Sequence, residues 1–254
     1  MKTRRFATVV AALGLLGALT VPHAANAAEI RVLCSVALKA VAEELFPQFE
    51  QSTKHKVVVQ FALAATQKQK AESGEPFDLI VVTPAMLDDL IKQGKVAADT
   101  RTVVARSGLA LAIKAGAPKP DIGTVDALKR TLLGAKSITY TKEGASGVLF
   151  AAVIQKLGIA DALASKTQYT SAGEEASANV VSGRAELGVL PVSEILPVKG
   201  EELGGLFPGE TQQYIVMAAG VSAKAAEGAA ARELLKFLMA PSALPALKAK
   251  GMER

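Results

Sequence analysis

Ile30-Arg31-Val32-Leu33-Cys34 is followed at once by Leu38, Val41, Ala42, Leu45, Phe46 and Phe49, and this pairing decides the fold. The first run is short, apolar and partly β-branched, which predicts a strand. The second set recurs at i, i+3, i+4 and i+7, which marks one face of a helix. Pro47 falls inside the helical pattern and predicts a kink, because Phe49 stays on the apolar face beyond it. The alternation then repeats. Val57-Val58-Val59-Gln60-Phe61 predicts a second strand, residues 65–73 a helix stopped by Gly74, and Asp78-Leu79-Ile80-Val81-Val82 a third strand. Pro84 suits the first turn of a helix that runs through Ile91 and stops at Gly94. Apolar strands separated by crossover helices imply a parallel sheet covered on both faces.

An extended run at residues 102–114 and the Pro/Gly-rich residues 115–120 lead into a second series. Helices are predicted at 126–133, 147–157 and 174–182, and strands at 137–140, 166–169 and 187–190. A late strand at 214–219 and helices at 226–239 and 241–248 close the chain. The pattern is α/β in two halves.

The chain opens differently. Lys2, Arg4 and Arg5 precede an apolar run from Phe6 to Val21, and Ala25-Asn26-Ala27 supplies small residues where a signal peptidase cuts. This predicts a secretory signal peptide over residues 1–27, cleaved after Ala27, and a periplasmic mature protein. The apolar run is short for a spanning helix, which needs about 20 residues. That segment holds three of the 29 basic residues and none of the 24 acidic ones, which leaves a net charge of +2 on the remaining 227 residues. The precursor's basic balance is thus no nucleic-acid footprint, and no basic cluster interleaves with aromatics. Cys34 is the one cysteine and His55 the one histidine beyond the signal, a poor basis for a disulfide, a zinc site or a Cys-His pair. Cys34 lies several residues past the cleavage point, where no lipid anchor would be attached. His55 is placed in a surface turn opposite the strand carboxyl ends.

Residues 30–38, 57–61, 74–79, 90–96 and 183–189 together resemble periplasmic molybdate-binding proteins in order and spacing. The resemblance implies a type 2 periplasmic binding protein: two Rossmann-like lobes joined by two hinge strands, with crossings near residues 104–108 and 214–218. It implies lobe I at 28–107 and 217–254, lobe II at 108–216, and a small anionic ligand held in the cleft. It further implies a monomer without cofactor or metal, serving an ABC-type permease. In that family two serines and a tyrosine help hold the oxyanion; here they fall on Ala37, on Ala64 or Ala65, and on Pro191. A buried oxyanion short of donors suffers a desolvation penalty of several kcal/mol, so an organic carboxylate is expected in place of molybdate. Residues 115–122, 126–132 and 145–148 resemble a subgroup related to bacterial aconitate isomerase. That likeness implies the alternative of an allylic proton shift between trans- and cis-aconitate.

Ligands of open α/β lobes sit beyond the strand carboxyl ends, against helix N-termini. Ser35-Val36, Thr66, Thr83-Pro84 and Ser146-Gly147 have that position. Ser35 and Thr66 read equally as helix caps, whereas the glycines around Ser146 favour close approach of backbone to a ligand. Arg106 and Ser107 lie on the expected hinge strand, where a guanidinium suits a carboxylate. Ser193 and Glu194 occupy the loop after Pro191. Glu194 is either a weak candidate base or part of a short helix capped by Ser193.

Overall fold

The computed structural model describes residues 27–254, so the expected signal peptide lies, apart from Ala27, outside the described residues. The first half is built on β1 (Glu29–Ser35), β2 (Lys56–Ala62) and β3 (Leu79–Val82), parallel to one another with β1 in the middle. A 3₁₀ turn at Val36–Leu38 leads into α1 (Lys39–Thr53), and α2 (Ala64–Ser73) and α3 (Pro84–Lys92) follow the next two strands. Pro47 sits inside α1 without ending it. All four residues of β3 are buried, and they alternate between layers as a pleated strand must. Leu79 and Val81 share a core with Val41, Leu45 and Phe49, while Ile80 and Val82 share another with Leu87 and Leu90.

β4 (Thr102–Lys114) spans the extended run and connects the halves. Its first part pairs antiparallel with β9 (Tyr214–Val221), from Thr102↔Ala219 to Gly108↔Tyr214. Its later part pairs antiparallel with β7 (Leu187–Pro191) and β8 (Glu201–Leu206). Parallel strands β5 (Ile138–Thr141) and β6 (Thr167–Thr170) complete the second half, beside β7. The strand order is β2-β1-β3-β9-β4-β7-β5-β6, with β8 attached to β4. Helices α4 (Val125–Gly134), α5 (Ala145–Lys156), α6 (Ala160–Ala164), α7 (Gly173–Ser182) and α8 (Val192–Ile195) flank this sheet. β9 carries the chain back, and α9 (Gly228–Met239) and α10 (Leu244–Ala249) pack on α1 of the first half.

Three details depart from expectation. β8 was not foreseen. α8 is capped by Pro191, with Ser193 its second residue and no side-chain cap bond. His55 is buried, not at the surface: its Nδ1 accepts from the Ala28 N–H at 3.0 Å, its Nε2 meets Glu233 at 3.3 Å, and its ring stacks on Phe49. Cys34 is fully buried in β1, where burial pushes its thiol pKa up and leaves it unreactive.

Asp78 ties the first half to the returning chain. It is 2% exposed and accepts from the Arg31 N–H at 2.8 Å and the Glu227 N–H at 2.9 Å. Asp78→Ala strands two backbone donors, and urea unfolding should show a loss of about 2–4 kcal/mol. An unchanged midpoint would show that these bonds contribute nothing net.

Candidate functional site

A cavity of about 540 Å³ opens where the carboxyl ends of β1, β2, β3 and β5 face one another and α8. Four segments entering helices supply its walls: Ser35–Ala37, Leu63–Ala65, Thr83–Met86 and Gly144–Ser146. Pro191, Glu194 and Tyr214 close it from the second half and the returning strand. None of its lining residues is Lys, Arg or His. Leu63 is the N-cap of α2 and Gly144 that of α5, neither with a side-chain cap bond, so their first-turn N–H groups remain available to an anion. Thr83 likewise leaves its hydroxyl off the start of α3. Ser146 is buried in the cavity wall and, with Thr83 and Thr141, presents a hydroxyl that makes no hydrogen bond among the described residues.

A second chamber of about 470 Å³ adjoins the first and shares Val36, Leu63, Gly173 and Glu194 with it. It is bounded by Lys39 and Glu43 of α1 and by Glu174 and Ser177 of α7. The halves touch across it. Lys39 Nζ donates to Glu174 Oε1 at 2.6 Å, which raises the lysine's pKa, and the Ser193 hydroxyl donates to the Ala37 carbonyl at 3.3 Å.

Of the residues singled out from sequence, Ser35, Val36, Ser146 and Glu194 meet around the main cavity. Ser35 also caps the 3₁₀ turn, its hydroxyl accepting from the Ala37 N–H at 3.4 Å. The others lie off the main cavity. Thr66 is exposed and off the cavity, because α2 begins two residues earlier and the helical phase brings Ala64 and Ala65 to the wall. Arg106 is exposed, pairs with Glu253 at 2.9 Å and lies 4.7 Å from the centre of the Tyr214 ring, so its charge stays outside. Ser107 is a buried clamp: its hydroxyl donates to the Gly251 carbonyl and accepts from the Ser193 N–H, each at 3.0 Å. Ser193 lines only the second chamber. Gly147 lies off the cavity too; a Cβ there would collide with the Thr141 carbonyl oxygen, so this glycine serves the close approach of α5 to β5. Thr141 and Tyr214 are wall residues the sequence reading passed over as ligand candidates, although each lies at a strand end.

Glu194 is the charged group of greatest consequence. It is partly exposed to both chambers, and no hydrogen bond or ion pair engages its carboxylate among the described residues. A side chain on Gly173 would overlap Glu194 Oε2, so the glycine makes room for the carboxyl. Burial, then the neighbouring Glu174 and Glu201 charges, push its pKa up to about 7. Glu201 is only 7% exposed, and neither of its oxygens has a hydrogen-bond partner. Burial pushes it to about 7 as well; Ser177 lies near enough to offset this a little, but outside hydrogen-bonding geometry. No group of three or more His, Cys, Asp or Glu arranged for a metal ion occurs among the described residues.

Residues 30–253 match a family model described as "Bacterial extracellular solute-binding protein". The chain is 30% identical over 230 residues to "Aconitate isomerase" of a Pseudomonas species, covering 88% of this chain and 87% of that one. It is also 30% identical over 243 residues to "Molybdate-binding protein ModA" of Azotobacter vinelandii, covering 93% and 94%. The solved periplasmic molybdate-binding protein of Azotobacter vinelandii superimposes with a TM-score of 0.76 at 21% identity, over 89% of this chain and 99% of that one.

The buried carboxyls set a pH dependence. Glu201 keeps its proton longer folded than unfolded, with its pKa moving from 4.5 to about 7. Between those values the native state binds more protons, so this contribution is full below 4.5 and is lost as pH rises through 7. Glu201→Gln should therefore raise stability at pH 8 by roughly 1–3 kcal/mol relative to the parent and by far less at pH 4. Parallel urea titration curves for the two proteins across this range would contradict the assignment.

Proposed function

Since the chain belongs to the bacterial extracellular solute-binding protein family, we propose that it captures a small organic carboxylate in the main cavity for an ABC-type permease. The observation that carries this reading is the cavity's make-up: about 540 Å³ of mostly apolar wall, with free hydroxyls and uncapped helix starts as its donors. Pockets for organic ligands span about 300–1,000 Å³ and combine apolar walls with a few fixed polar groups. Ala37, Ala65 and Pro191 contribute no side-chain donors, which suits a ligand with hydrocarbon as well as charge. Ser146 and the first turn of α5 receive the carboxylate, while Ala64, Ala65 and Val148 cover its carbon skeleton.

In this reading residues 1–27 direct export, and the mature monomer works in the periplasm without a cofactor. Lobe I comprises 28–107 and 217–254, and lobe II comprises 108–216. β4 and β9 act as the hinge. The Lys39–Glu174 ion pair and the Ser193–Ala37 hydrogen bond belong to the closed arrangement.

One observation favours a second reading. An unpaired carboxylate with a pKa about 7 stands in the cavity, the range a general base needs near neutral pH. On that reading Glu194 removes an allylic proton from trans-aconitate.

A thermal-shift panel of molybdate, tungstate, sulfate, phosphate, cis-aconitate and trans-aconitate separates these outcomes. Stabilisation by a carboxylate of several degrees is expected, with Ser146→Ala weakening its affinity about tenfold. Stabilisation by molybdate alone would overturn the carboxylate assignment. A steady change in the ultraviolet absorbance of trans-aconitate, abolished by Glu194→Gln, would establish turnover in place of capture alone.

A further inference from the structure

Glu194 poses a charge problem for any anion entering the cavity. The carboxyl lines both chambers, has no protein partner, and shares the main cavity with the donors that would hold the ligand. Like charges held close together in one site cannot both stay ionised.

The groups that surround Glu194 do nothing to relieve this. From α7 it faces Glu174, whose charge is engaged by Lys39 of α1. From β8 it faces the buried, unpartnered Glu201. Along the second chamber α1 adds Glu43, and across the main cavity the β5–α5 loop adds Glu143. β4, packed behind α8, offers Arg106, but its guanidinium is paired with Glu253 of the C-terminal segment. Lys250 of the same segment is paired with Glu44. Among the described residues no Lys, Arg or His lines the main cavity, so a proton is the counter-charge at hand for Glu194 there.

Resting on the anion-binding reading above, we propose that each ligand anion enters together with one proton, which resides on Glu194. The carboxyl then donates a hydrogen bond to the ligand instead of repelling it. The bond that forms is O–H on Glu194, with the proton drawn from solvent. Two consequences follow for ligand class. The solute offers Glu194 an acceptor oxygen beyond the carboxylate end held by α5, as a di- or tricarboxylate does. An ammonium-bearing solute is disfavoured, because it would require Glu194 ionised.

Titration calorimetry with trans-aconitate, in buffers of different ionisation enthalpy, counts the protons taken up. At pH 7.5 more than half of a proton per ligand is expected, and close to none at pH 5.5, where Glu194 is already protonated. Glu194→Gln should bind at both values with the uptake gone. As a check independent of that variant, the parent's Kd should weaken up to tenfold per pH unit above about 7 and level off below about 6. Tight binding of trans-aconitate, molybdate or sulfate with no proton uptake at pH 7.5 would overturn the inference while leaving the anion-binding reading intact. Failure of all three to bind would remove that reading and the inference with it.

Discussion

The antiparallel ladder between β4 and β9 is the constraint on which the rest of the molecule depends. It runs from Thr102↔Ala219 to Gly108↔Tyr214 and sits between two otherwise separate sets of parallel strands. Because β3 joins β9 on one side and β7 joins β4 on the other, the two sets present their carboxyl ends to a common space. Helix starts from both sets converge there, and the cavity is the outcome. The middle of β4 is clamped by Ser107, which bonds the C-terminal segment and the start of α8 at once. The position of Glu194 is therefore set by a chain of contacts that begins at the crossing strands.

Electrostatics gives this cavity its character. Its donors are dipolar, consisting of hydroxyls and helix N–H groups, and the charged residues that line it, Glu143 and Glu194, are both acidic and unpaired among the described residues. Dipolar donors hold an anion without long flexible cations, whose ordering would be entropically costly. The same arrangement leaves the cavity sensitive to protonation. Glu201, buried behind Glu194 without partners, raises its neighbour's pKa and reduces the stability of the empty protein at neutral pH. Strain of this kind is tolerated where a ligand site depends on it.

Much of the fold was legible in the sequence because β1, β3 and β7 are apolar runs and α1 and α3, after β1 and β3, place apolar residues at helical spacing. β4 was readable as one long extended segment. β8 was not: Glu201-Glu202-Leu203-Gly204-Gly205-Leu206 joins two acidic residues to two glycines, a composition with little strand propensity, and it exists by pairing with β4. The site was legible only in part. Ser35 and Val36 lie at the end of β1 and Ser146 in the first turn of α5, positions that the strand–helix pattern marks as facing a common space. Thr66 lies off the cavity by two residues of helical phase. Arg106 is held off the cavity by Glu253, a partner distant in sequence, and the surface placement of His55 missed its burial against Glu233 and Ala28, equally distant in sequence. Gly147 is expected to let backbone approach a ligand; the close approach the structure shows there is to the protein's own β5.

The central claim is that the space between the two strand sets holds a carboxylate against Ser146 and the start of α5, with Glu194 on its other side. A crystal structure of the mature protein grown with trans-aconitate tests it most directly. The account predicts ligand density in the 540 Å³ cavity, with one carboxylate within hydrogen-bonding distance of the Ser146 hydroxyl and another oxygen against Glu194. Density confined to another surface, or a cavity filled by a tetrahedral oxyanion that excludes the carboxylate, would contradict it.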